Sequence, residues 1–105
     1  MFFALLMLQA ISPDPEQNRY ACRLAEHRLL VQLTEYQALI ARQFVRPRKV
    51  RRLQQRGEAV LRPYIVDVRD SIQDGDPAWV CDRIADRASD ELNREVIGRL
   101  FGQPR

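Results

Sequence analysis

Two cysteines, one histidine and a run of arginines are the residues whose types could give this chain a chemistry. Cys22 and Cys81 stand 59 positions apart, and His27 is the only histidine. A zinc site needs about four ligands from Cys, His or carboxylates. These residues do not make one, so no metal and no cofactor is expected. Two thiols can instead pack as small hydrophobes or join as a disulfide. Ser12, Ser71 and Ser89 lie in no nucleophile-elbow context, and no glycine-rich phosphate loop is present. The carboxylates Asp82, Asp86, Asp90 and Glu91 alternate with Arg83, Arg87 and Arg94, which reads as exposed i,i+4 pairing. No catalytic residue is assigned.

The arginines carry more information. The chain holds sixteen of them against a single lysine, for a net charge of only +3. Arg42, Arg46, Arg48, Lys49, Arg51, Arg52 and Arg56 crowd into one stretch, and no acidic residue lies between Glu35 and Glu58. Asp and Glu gather later, from Asp67 to Glu95. One end of the molecule should therefore be strongly basic. Such an end can bind nucleic-acid phosphates, anionic lipid head groups or an acidic protein surface. A recognition helix, aromatic residues interleaved for base stacking and a zinc module are all missing from the sequence pattern.

These groups must be positioned by helices. With 105 residues, 46% apolar and 30% charged, the chain has the composition of one ordinary folded domain. It contains four glycines, and no Asn-Gly or Asp-Gly pair joins two alternating runs as a hairpin would. Asp14 and Pro15 offer a cap and a first helical residue. From there to Val45 no Pro or Gly interrupts the run, and Cys22, Leu29, Leu33, Tyr36, Ile40 and Phe44 fall on one face. Pro47 marks a turn. A second helix carries Val50, Leu53, Gly57, Val60, Leu61, Tyr64, Ile65, Val68 and Ile72, with Pro63 expected to kink or break it. Gly75 should end that helix, and Asp76 and Pro77 should cap and begin a third. The third helix carries Cys81, Ile84, Ala85, Ala88, Leu92 and Val96, and should end near Gly98–Gly102. Short connections favour an all-α, antiparallel up-down-up three-helix bundle over residues 13–105.

That arrangement brings the cysteines close. Counted from the Pro47 turn at about 1.5 Å per residue, Cys22 lies some 37 Å along the axis and Cys81 roughly 32 Å. Both face inward at the end opposite the basic turn, so a Cys22–Cys81 disulfide is expected. Residues 1–12 are uncharged and nearly all apolar. They are too short for a bilayer span, which takes about 20 residues, but have the size of a secretory signal's apolar region. Ala10-Ile11-Ser12 supplies small residues for cleavage, although no Lys or Arg precedes the run. These residues are read as a signal peptide or an apolar arm, and no transmembrane span is expected.

The first helix has a second apolar stripe on its back. Leu24, Val31, Ala38 and Val45 recur at sevens, with Tyr20, His27, Thr34 and Ala41 between them. A bundle helix needs one broad apolar face, so this seam should meet the arm, a second copy of the chain or another partner.

Together these features predict a small exported, non-catalytic binding protein of the cell envelope, periplasmic or secreted, held by a disulfide. If it is exported, nucleic acid is an unlikely partner. The alternative is a cytoplasmic helical adaptor that uses the Arg42–Arg56 tip on nucleic acid or an acidic protein. In length and helix count the chain is similar to small helical chorismate mutases, which bind a dianionic substrate with Arg and Lys. That likeness is one of architecture and transfers no residues, because Pro47 interrupts the Arg42-to-Lys49 stretch. It makes a small enzyme acting on a dianion the third reading.

Overall fold

The computed structural model describes residues 15–102. The expected signal segment at 1–12 and the Asp14 cap lie outside the described residues. Helix α1 spans Pro15–Gln43, α2 Pro47–Asp74 and α3 Ala78–Leu92. A π-helical turn, Asn93–Ile97, and a last short helix, α4 (Gly98–Phe101), continue α3. No strand occurs among the described residues, and none of their helices is long and apolar enough to cross a membrane.

Each of the three long helices packs against the other two. Glu26 meets Arg69 while Gln37 meets Gln54, so α1 and α2 run antiparallel. Cys22 meets Cys81 at one end and Phe44 meets Phe101 at the other, so α3 runs back up beside α1. This is the up-down-up bundle. Its core is Cys22, Ala25, Leu29, Tyr36 and Ile40 of α1, Leu53, Leu61, Ile65 and Val68 of α2, and Cys81, Ala85, Ala88, Leu92 and Val96 from α3 onward. Those positions recur at spacings of three and four, and their burial is the main force holding the helices together.

Three local features bear on the sequence expectation, each with a physical reason. Pro63 lies inside α2 without breaking it. Its ring is exposed and it forfeits only the bond to the carbonyl of Ala59, which is also exposed and open to water, while Leu61 and Ile65 stay buried on the other face. Asp76 and Pro77 do not act as expected either. The N-cap is Pro77, α3 starts at Ala78, and the capping acceptor comes from across the bundle, where Asn18 Oδ1 accepts the Ala78 N–H at 3.2 Å. Finally, the helix ends within the expected Gly98–Gly102 stretch: Gly98 is still helical, and the chain leaves the helix at Gly102, with φ 73°. Ala88, Leu92, Val96 and Leu100 are spaced by fours, and in an α-helix each such step rotates the side chain about 40° further round. The wider π-helical turn takes back part of that rotation, so Val96 stays fully buried.

Gly75 does end α2. It adopts φ 71°, and its N–H and that of Asp76 bond back to Ile72 and Ser71 carbonyls.

Polar ties join the helices around this core. Arg28 pairs with Asp86 at 2.7 Å, Arg69 with Glu26, and Ser89 Oγ donates to Gln32 Oε1 at 2.9 Å. The Tyr64 hydroxyl donates to the Glu91 carboxylate between α2 and α3. That bond needs the phenolic proton and, with burial and the Glu91 charge, raises the Tyr64 pKa above its ordinary value. Burial likewise raises Tyr36, against a smaller opposing effect of the Arg56 charge. A tyrosine that holds its proton more firmly when folded contributes stability fully present below the unfolded pKa of about 10, and loses it as pH rises through the folded pKa. The melting temperature is therefore expected to fall above about pH 10, and Y36F/Y64F to flatten that fall. Thermal melts of both proteins across alkaline pH check this. Parallel curves would exclude the two hydroxyls as its source.

Candidate functional site

The basic end is built where α1 stops and α2 begins, joined by residues 44–46. Phe44 is half-buried and its N–H still bonds the Ile40 carbonyl, so the chain leaves α1 gradually. Arg46 is the N-cap of α2, in an extended conformation (φ −73°, ψ 120°) with no side-chain cap, and Pro47 takes the first helical position. Prolines suit that position because the missing N–H has no intrahelical partner there.

All seven expected anion-binding residues are exposed: Arg42, Arg46, Arg48, Lys49, Arg51 and Arg52 flank the α1–α2 connection, and Arg56 lies further along α2 at the Pro63 recess. The ion pairs among the described residues use Arg28, Arg62, Arg69, Arg94 and Arg99, and none of these seven. The first turn of α2 holds no acidic residue. Arg46, Arg48 and Lys49 thus place positive charge on the positive end of a helix dipole, which is unfavourable. Arg48→Glu is expected to raise stability by about 0.3–1 kcal/mol at low salt, most visibly as a higher urea midpoint. An unchanged or lower midpoint would mean that the dipole and its neighbouring charges are already neutralised.

An apolar element sits among these charges. Phe101, from the far end of the chain, packs on Phe44 with ring centroids 6.1 Å apart. The Lys49 ammonium lies 4.7 Å from the Phe44 centroid, a cation–π contact. Val45, in the α1–α2 connection, is 94% exposed, and Phe101 is 40% exposed where it packs on Phe44. The sequence placed Phe44 on the core stripe of α1 and showed no aromatic residues interleaved for base stacking. Sequence reasoning missed Phe101 because the residue arrives from 57 positions beyond Phe44 and only the folded bundle joins them.

The second stripe of α1 is open. Tyr20 is 66% exposed and Leu24 51%, and Val31, His27 and Ala38 are exposed with them. Val45 lies beyond the end of α1 and belongs to the basic tip instead of this seam. A shallow recess lined by His27, Arg28, Val31, Gln32, Glu35 and Ser89 runs between the stripe and α3. His27 has no partner set for metal binding, since no group of three or more His, Cys, Asp or Glu among the described residues could hold an ion.

At the opposite end, Cys22 and Cys81 are joined, with Cα atoms 5.1 Å apart and neither residue exposed. The bond lies one turn from the Asn18–Ala78 contact, so two ties fix the start of α3 to α1. Comparison of the chain with protein-family models, curated proteins and solved structures gives no match, so its function must be argued from these surfaces.

Proposed function

We propose that this chain is a small exported binding protein of the cell envelope that acts without catalysis, with the Cys22–Cys81 disulfide as its internal staple. The observation that carries this reading is the bond itself. The only two cysteines of the chain are paired and fully buried. Structural disulfides persist in oxidising compartments and are rare in the cytosol. A domain this small also gains most from such a staple. The non-catalytic part rests on the thin inventory of nucleophiles and bases in the sequence. The exposed α1 stripe from Tyr20 to Ala38 is the face that a second copy of the chain would use, and sedimentation equilibrium decides between monomer and dimer.

The test is to express the full gene in a bacterial host, separate envelope from cytosol, and measure intact mass with thiol alkylation before and after reduction. An envelope product lacking about its first 12 residues, as for a short signal peptide, with both thiols blocked until reduction, supports the reading. A full-length cytosolic product with two free thiols overturns it. The cytoplasmic adaptor would then take its place, favoured by the seven exposed and unpaired basic side chains.

A further inference from the structure

We propose that the α1–α2 tip docks on the surface of an anionic lipid bilayer, with Val45 seated among the head groups and Arg46, Arg48, Lys49, Arg51 and Arg52 on their phosphates. The inference rests on the reading of the chain as a binding protein and names its partner.

Charge is the first argument. The basic side chains of the tip are exposed, take part in none of the ion pairs among the described residues, and lie in a stretch without an acidic residue. Each Lys or Arg near an anionic membrane surface contributes attraction on the order of 1 kcal/mol, and several acting together give useful affinity.

The apolar apex decides among anionic partners. Val45 is 94% exposed, more than any other large hydrophobic residue of the described chain, and it is surrounded by positive charge. A polyphosphate or nucleic-acid backbone would gain little from that side chain. A bilayer interface rewards its burial, at about 25 cal/mol per Å² of apolar surface. Phe101, 40% exposed, packs on Phe44, the residue before Val45, and adds a second partly exposed apolar group at this end. Peripheral membrane binding generally combines a small apolar insertion with electrostatic attraction, since either alone is weak.

Shape agrees with this choice. The tip is a helix–helix corner that presents its side chains outward. The surface recesses lie elsewhere: around Pro63, between α1 and α3 at Gln32, and beside Trp79. Of the basic group, only Arg56 lines the Pro63 recess, where it is accompanied by Asp67 and Glu91. A projecting tip suits a broad, deformable surface better than it suits a small anion needing enclosure.

The experiment is co-sedimentation of the full oxidised chain with vesicles of phosphatidylcholine alone and of an equal mixture of phosphatidylcholine and phosphatidylglycerol. The expected result is binding to the mixed vesicles only, weakening as salt rises. R48Q/R51Q/R52Q should weaken it roughly a hundredfold and V45S several-fold, with both variants retaining the parent's melting temperature within a few degrees. No binding to the mixed vesicles at low salt overturns the proposal. So does vesicle binding unchanged by V45S and displaced equally well by duplex DNA, which would mark the tip as a general polyanion surface. Failure here is separable from failure of the export reading: fractionation and thiol state report the compartment, and vesicle binding reports the tip.

Discussion

Reducing the Cys22–Cys81 bond is expected to lower the free energy of unfolding by about 2–4 kcal/mol, the largest effect of any single chemical change to this fold. The argument begins in the unfolded chain. The bond links residues 59 apart, so it removes most of the loop conformations the unfolded polypeptide would otherwise explore. In the folded bundle the two Cα atoms are 5.1 Å apart, inside the ordinary range for a disulfide. For a domain of this size the loss corresponds to a fall in melting temperature of roughly 10–25 °C. Both cysteines are fully buried, so C22A/C81A removes sulfur from a packed core and should be no more stable than the reduced protein. Urea unfolding of the oxidised, reduced and C22A/C81A proteins separates the two effects. Coincident midpoints for the oxidised and reduced proteins would mean that the staple is energetically idle. Hydrogen exchange adds a location: reduction should free the amides at the start of α3 first, because the Asn18–Ala78 hydrogen bond and core packing then hold that end to α1 without a covalent tie.

The core stripes were legible in the sequence because side-chain burial follows helical period directly. Cys22, Leu29, Tyr36 and Ile40 on α1, and Cys81, Ala85, Ala88, Leu92 and Val96 further on, are all buried as their spacing requires. Gly75 was legible for a similar reason, since a left-handed residue after an amphipathic run is a local property of the chain. What sequence could not reveal is what depends on two distant segments meeting. Asn18 caps a helix 60 positions away, and nothing near Ala78 announces it. Phe101 completes the basic tip from the opposite end of the chain. Pro63 was expected to kink or break α2, and the helix is not broken, because the rule for prolines counts the lost hydrogen bond but not the direction the ring faces. Here it faces solvent, and the buried side of α2 holds the helix together across it. The basic cluster was visible in full. Its apolar apex was not, because the period of seven had assigned Val45 to the back of α1, and α1 ends at Gln43.

Gly57→Ala is the second large effect, and its sign is the interesting part. In an exposed helix interior the change would stabilise α2 by about 1 kcal/mol, because alanine is the better helix former. At this position a methyl group has nowhere to go. A Cβ on residue 57 would collide with the edge or face of the Tyr36 ring, 2.9 Å from Cζ and closer still to Cδ2 and Cε2. The ring cannot swing aside cheaply, since Tyr36 is 2% exposed and its hydroxyl donates a 2.6 Å hydrogen bond to the Leu53 carbonyl, one turn before Gly57 on α2. Overpacking of this kind costs about 1–3 kcal/mol, with values at the upper end where the neighbour is backbone-tethered. The steric cost should outweigh the propensity gain and leave G57A less stable by about 1–2 kcal/mol. A second background makes the cause testable. Y36L removes the ring and its hydroxyl bond, at its own cost in stability, and leaves room above residue 57. In that background G57A should become neutral or stabilising, so the double mutant is more stable than the sum of the single changes predicts. Strict additivity would show that the glycine is required for some reason other than the tyrosine packed against it.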